Sequence, residues 1–291
     1  MGEILVDSGN PPPVSVGELA GCCLEIFGVR ITIACNCSDW LDQLRELEFG
    51  ADWELGPASP ELLARSLEED DAERENDFSF CILRGESPYT NRLIANGKTS
   101  SLGTTPNYIF QSVGNRLHLC IAEFADPEIF VHAGAVLFNG KALVLPGHSY
   151  AGKSTLTLAL VERGARLLSD DFAVVCSDGC VRAYPIPVSQ RSAEGPLRLP
   201  ARGLGWEESL EPAPLGAVLV TTYESGRKRH KLQELDPAQA ILELLQNTVP
   251  ARRAPARCLG TLVKAVGPAR AWRGPRGEAG QMADWLLKQL K

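Results

Sequence analysis

The chain reads as an α/β protein built on a mixed sheet, and three observations predict this. The apolar run Lys141–Pro146 has strand length and leads through a Gly-rich segment, Gly147–Thr155, into an amphipathic stretch, Leu156–Arg163, closed by Gly164. Asn139-Gly140 separates that run from a second one, Ile129–Phe138, and this dipeptide between apolar runs is the strongest short-range signal for a hairpin. Beyond them, further strand-length and helix-length patterns continue to the C-terminus.

Taken in order, the first segment is a smaller α+β domain, residues 1–127. Leu24–Ala34 reads as a strand or as a tight hairpin around Gly28, and Asp39–Phe49 as a helix with a Ser38 cap. Glu61–Asn76 is acidic, with Glu68-Glu69-Asp70-Asp71 inside it, a composition of solvated helix faces and loops. Phe78–Leu83, Arg92–Ala95 and Lys98–Leu102 read as antiparallel strands turning at Asn96-Gly97, and Asn107–Phe124 as a helix. The second segment, 128–291, opens with the Asn139-Gly140 hairpin. An apolar run, Ala165–Val175, follows, interrupted by Ser169-Asp170-Asp171, then a turn at Asp178-Gly179 and a strand Val181–Ile186. Leu215–Tyr223 and Lys231–Leu235 read as a strand pair. Asp236-Pro237 is a cap followed by Pro at the first helical position, opening a helix to Asn247. Helices are predicted over Ala256–Val266 and Glu278–Leu290, with Pro268–Gly277 a loop between them.

Composition narrows the function classes. The 291 residues are 44% apolar and 22% charged, ordinary for a globular chain with a sizeable core. A net charge of −7 gives no global basic field, so neither nucleic acid nor a membrane surface is an expected partner, and no run approaches the length of a membrane span. The nine cysteines form no regular framework and the N-terminus resembles no signal peptide, so a cytoplasmic location with reduced thiols is expected. Cys22-Cys23 and Cys35-Asn36-Cys37 lack the second pair or nearby His that a zinc site needs.

Gly147, His148, Ser149, Tyr150, Ala151, Gly152, Lys153, Ser154 and Thr155 fit the phosphate-binding pattern G-x-x-x-x-G-K-[ST] at every fixed position. Small residues let successive backbone N–H groups curl towards phosphate oxygens. Lys153 then carries charge to the outer phosphates and the Ser154 hydroxyl is placed to ligate Mg²⁺. The helix that follows turns the positive end of its dipole to the same point. The plain alternative is a Gly-rich turn that binds nothing.

Asp170 and Asp171 come next in information. Adjacent carboxylates inside an apolar strand are costly unless cations or donors satisfy them. Beside a phosphate loop, one can hold Mg²⁺ while the other accepts the proton of an attacking hydroxyl. Side chains alternate along a strand, so the two share one job only where the strand ends. The alternative is a pair that caps a surface turn.

These residues together carry a resemblance. His132-Ala133-Gly134-Ala135-Val136, the Asn139-Gly140 hairpin, the Gly147–Thr155 loop, Arg163-Gly164 and Leu168-Ser169-Asp170-Asp171 resemble the catalytic domain of HPr serine kinase/phosphorylase and its HPr-kinase-like relatives. The resemblance is firm from Phe130 to about Arg191 and weak beyond. It implies a P-loop core of the kind shared with phosphoenolpyruvate carboxykinases, ATP with Mg²⁺ as donor, a serine hydroxyl as acceptor, and a homo-oligomer. By the same resemblance Lys153 is the phosphate-binding lysine, Ser154 and Asp171 lie at the metal, Asp170 is the catalytic carboxylate and His132 assists it. On its own, His132 is equally a hydrogen-bonded strand histidine. Arg191, after a strand, is a candidate for charge stabilisation in phosphoryl transfer, though surface arginines are commoner. His148 stands where the family has an acidic residue and Thr155 where Glu is common. The N-terminal segment has no match to the family's regulatory domain, so neither the reverse reaction nor HPr as acceptor is implied. Some relatives phosphorylate a serine of ribosomally made peptide precursors. The expectation is therefore a serine kinase acting on a peptide or small protein. The rival is a nucleotide-operated switch or ATPase that phosphorylates no acceptor.

Overall fold

In the computed structural model, residues 18–46, 56–67, 76–87, 90–102, 105–148, 151–192, 195–207 and 210–290 are described. The chain is a mixed α/β protein with two main sheets, and its contacts divide it into two units. The first comprises Met1–Glu25, Val29–Leu47 and Glu54–His118, and the second Ile26–Gly28, Glu48–Trp53 and Leu119–Lys291.

The first unit holds β1 (Ala20–Ile26), β2 (Val29–Cys35), α1 (Ser38–Glu46), β3 (Gly56–Pro57), α2 (Pro60–Arg65), β4 (Asp77–Leu83), β5 (Arg92–Ala95), β6 (Lys98–Leu102) and most of α3 (Pro106–Phe124). Its sheet runs β3-β1-β2-β4-β5-β6. The hairpin predicted around Gly28 is present as β1 and β2, and β4–β5–β6 pair antiparallel as the Asn96-Gly97 turn predicts. Asn96 and Gly97 take φ of 48° and 74°, the left-handed pair such a turn needs. The acidic run Glu68–Asp71 lies outside the described residues, as does the end of the helix predicted to Phe49.

The second unit holds β7 (Ile129–Phe138), β8 (Lys141–Pro146), α4 (Lys153–Val161), β9 (Arg166–Ser169), β10 (Phe172–Val175), β11 (Cys180–Arg182), β12 (Val188–Ser192), β13 (Gly195–Leu199), β14 (Ala213–Tyr223), β15 (Gln233–Leu235), α5 (Pro237–Gln246), α6 (Pro255–Val266), β16 (Arg270–Arg276) and α7 (Ala279–Lys288). Its sheet has eight strands in the order β11-β10-β7-β8-β14-β16-β15, with β9 also on β7 and β11 also on β14. β7 and β8 pair antiparallel across Asn139-Gly140, whose φ values of 50° and 72° are those of a two-residue hairpin. Alternation along β8 sends Ala142 and Val144 to one face, against Leu244 of α5 and Leu262 of α6. Leu143 and Leu145 go to the other, against Leu156 and Leu160 of α4 and Met282 and Leu286 of α7. The sheet is thus covered on both faces, and each fully buried Leu contributes roughly 2 kcal/mol of transfer free energy. α5 opens as expected, with Pro237 at its first turn and a reciprocal cap between Asp236 and Gln239.

Two expectations are corrected. Pro268–Gly277 is not a loop: β16 fills it, parallel to β14 from Ala217↔Arg270 to Tyr223↔Arg276. Consequently β14 and β15 do not pair with each other, because β16 lies between them. Gly274 and Pro275 masked the strand, and the Ala271-Trp272 core pair was its only apolar signal. The strand predicted over Val181–Ile186 is only Cys180–Arg182, since the Tyr184 N–H bonds the Leu168 carbonyl instead. Among the described residues no helix is long and apolar enough to cross a membrane.

Candidate functional site

The pairing pattern brings scattered residues to one edge of the second sheet. β8, β14 and β16 are mutually parallel, so their C-terminal ends lie together. β7 runs antiparallel to β8 with Ala133 opposite Pro146, which places the neighbouring His132 at the same edge. β10 runs antiparallel to β7 with Phe172 opposite His132, so the preceding Asp170-Asp171 arrives there too. Crevices beyond the carboxyl ends of parallel strands are where α/β sheets place ligands.

The loop after β8 reaches Gly152, which caps α4 at φ 81°, and Lys153, Ser154 and Thr155 form the first helical turn. Ser149 and Tyr150 lie outside the described residues. The Ala151 N–H bonds the His148 carbonyl at 3.3 Å and His148 is exposed. Lys153 Nζ donates to the carbonyls of Gly147 (2.8 Å) and His148 (3.2 Å) and lies 3.2 Å from His132 Nε2. An ammonium only donates, so this contact assigns His132 Nε2 as acceptor. Burial pushes the His132 pKa below its ordinary value, the Lys153 charge pushes it further, and Asp171 opposes both. Burial likewise lowers the Lys153 pKa against the pull of Asp171 and Asp170.

The strand breaks between β9 and β10, and both carboxylates occupy the break. Asp170 is 1% exposed and Asp171 half-buried. The Ser154 hydroxyl donates to Asp170 Oδ2 at 2.8 Å. The alternation argument therefore resolves in favour of a strand end: Asp170 turns to the helix start, while Asp171 is the stronger influence on His132 and Lys153. Neither is a surface cap. A hydroxyl and a carboxylate in contact are hard oxygen donors of the kind Mg²⁺ takes, with water and substrate oxygens completing its shell. No group of three or more His, Cys, Asp and Glu that could hold a metal occurs among the described residues, and a Mg²⁺ site built on one or two protein ligands does not require one.

Arg191 lies on β12, which among the described residues pairs with β13 alone in a two-stranded ribbon beside α4, where Val188 packs with Leu158 and Val161. Its side chain is outside the described residues.

The sequence reading missed Arg276, at the end of β16. It is 1% exposed, and donates to the carbonyls of Gly277 (2.8 Å, from Nη1) and Gly152 (2.9 Å, from Nη2). Its guanidinium lies 5.5 Å from the centre of the Tyr223 ring, whose hydroxyl donates to Glu278 at 3.0 Å. Burial lowers its pKa, opposed by Glu278 and Tyr223.

No protein-family model matches the chain, and no curated protein matches it. Among solved structures it is similar to the Hpr(Ser) kinase/phosphatase from Coxiella burnetii, with 12% identity, a TM-score of 0.28, and coverage of 55% of this chain and 93% of that one.

Proposed function

We propose that the chain is an ATP- and Mg²⁺-dependent kinase that transfers the γ-phosphoryl group to a serine hydroxyl of a peptide or small protein. The observation that carries this reading is the contact of the Ser154 hydroxyl with buried Asp170, one residue from Lys153 at the start of α4. A turn that merely capped a helix has no use for a buried carboxylate facing its hydroxyl. The loop motif accounts for Lys153 and Ser154, and Asp170 is the kind of carboxylate that such a loop takes beside its hydroxyl.

In this reading the amides of Gly147–Thr155 hold the phosphate chain, and Lys153 exchanges its loop carbonyls for phosphate oxygens. Ser154 and Asp170 would hold Mg²⁺, which would supply charge neutralisation along the phosphates. Asp171, half-buried on the His132 side, is then the carboxylate open to an incoming hydroxyl, whereas the resemblance assigns that proton to Asp170. In the transfer the acceptor oxygen bonds the γ-phosphorus, the bond from that phosphorus to the bridging oxygen breaks, ADP leaves, and the hydroxyl proton passes to the carboxylate.

The test is intact-mass and fragment-ion spectrometry of serine-bearing peptides and small proteins incubated with the chain, ATP and MgCl₂. A gain of one phosphate on serine, absent with Lys153→Ala, is expected. Steady ATP hydrolysis without transfer, lost in the same variant, would replace the kinase with a nucleotide-operated switch.

A further inference from the structure

Arg276 presents an electrostatic imbalance. Its side chain is buried, yet among the described residues its only hydrogen-bond partners are two carbonyls, and Nε has none. No carboxylate among those residues lies within ion-pair distance, and the nearby Glu278 is exposed and held by Tyr223. A buried guanidinium with dipoles but no counter-ion is costly, and that cost sets the two carbonyls it holds apart from ordinary packing contacts. The location is specific: Nη2 meets the carbonyl that caps α4, which also accepts the Leu156 N–H at 3.1 Å. The approach is so close that a Cβ on Gly152 would collide with Nη2.

Peptide geometry gives this bond a consequence. In a trans peptide the carbonyl and the following N–H point in opposite directions. Fixing the Gly152 carbonyl on Arg276 therefore turns the Lys153 N–H away from the guanidinium. Lys153 Nζ meanwhile holds the carbonyls of Gly147 and His148, so three carbonyls at the two ends of the loop are secured by cations.

We propose that Arg276 is a positioning residue for an anion held by the Gly147–Thr155 loop: it pins the Gly152 carbonyl and thereby aims the Lys153 N–H at a phosphate chain. This rests on the nucleotide-binding reading above and adds to it a residue more than a hundred positions from the loop. The ligand chemistry is a di- or triphosphate, recognised through charge and not through the base.

The experiment is calorimetric titration of the full chain with ATP, pyrophosphate and adenosine in MgCl₂, for the wild type, Arg276→Met and Arg276→Lys, alongside thermal midpoints without ligand. Losing the aimed Lys153 N–H, a hydrogen bond to a charged group, predicts that Arg276→Met weakens ATP and pyrophosphate about ten- to a hundredfold and leaves adenosine unchanged. The midpoint without ligand should hold or rise, because an unpaired buried charge is gone. Arg276→Lys should recover part of the pyrophosphate affinity. Undiminished ATP affinity in Arg276→Met, or equal loss for ATP and adenosine with a lowered midpoint, overturns the proposal while leaving the nucleotide reading in place. Should neither variant fold, hydrogen exchange in the wild type decides: the Glu224 N–H, bonded to the Arg276 carbonyl at 2.9 Å, should exchange more slowly with pyrophosphate, and no change overturns it. A wild type that binds neither ATP nor pyrophosphate removes both this proposal and the reading beneath it.

Discussion

The two flanks of the Gly147–Thr155 loop carry opposite charges, put there by different routes. On one flank, Asp170 meets Ser154, sixteen residues away along one strand-loop-helix-strand passage. On the other, Arg276 meets Gly152 across 124 residues, delivered by parallel pairing of β16 on β14. The carboxylate flank offers oxygens of the kind a hard cation takes, while the arginine flank fixes a backbone carbonyl with a charge that has no carboxylate partner among the described residues. Under the proposed function the two flanks would together serve a metal–phosphate pair, and only the near one is written locally.

The strongest way to break the comparison is chemical. Lys153→Ala and Asp170→Asn should each lower phosphoryl transfer by on the order of a hundred- to a thousandfold, read by mass spectrometry of the acceptor. Asp171→Asn should keep ATP affinity and lose turnover, whereas Asp170→Asn should weaken Mg²⁺-dependent binding; the reverse pattern would exchange the roles of the two carboxylates.

A smaller effect separates contact from strain on the arginine flank. Gly152→Ala combines a left-handed φ of 81° with a collision against Arg276, while Gly140→Ala has a comparable φ of 72° with nothing near its Cβ. Both should lose stability in urea unfolding. The Gly140 variant should lose about 1 kcal/mol, from the left-handed conformation alone, with nucleotide affinity unchanged. The Gly152 variant should lose more and also bind pyrophosphate less tightly. Equal losses would mean that Arg276 does not press on the loop.

The smallest effect is a pH dependence. His132 has a folded pKa below its unfolded value near 6.5, because burial and Lys153 disfavour the imidazolium. Below that unfolded value the unfolded chain binds the proton more readily, so stability falls with pH from there down to the depressed folded pKa, and is level above. Urea midpoints against pH should show this slope in the wild type and a flatter one in His132→Gln.

Much of the site was legible because its signals are local. The loop pattern names Lys153 and Ser154, and the interruption of an apolar run names Asp170 and Asp171. The resemblance adds His132, which the structure places 3.2 Å from Lys153. Arg276 was not legible, because Gly274, Pro275 and Gly277 around it read as loop residues. Arg191 was singled out for following the strand predicted over Val181–Ile186, and it lies instead on β12 of a separate ribbon.

What the sequence by itself determined is what neighbouring residues can make: the Asn139-Gly140 hairpin, the loop feeding α4, the Asp236 cap and the break at Asp170-Asp171. Each depends on a backbone conformation or hydrogen bond within a few positions. Only the tertiary structure decided that β8, β14 and β16 lie parallel, that β16 separates β14 from β15, and that a guanidinium ends beneath Gly152. Pairings between distant strands follow from which apolar faces can be buried together, and α4 and α7 on one face with α5 and α6 on the other settle that jointly. The charge that a strand carries to the sheet edge is then a property of the packing, not of the residues beside it.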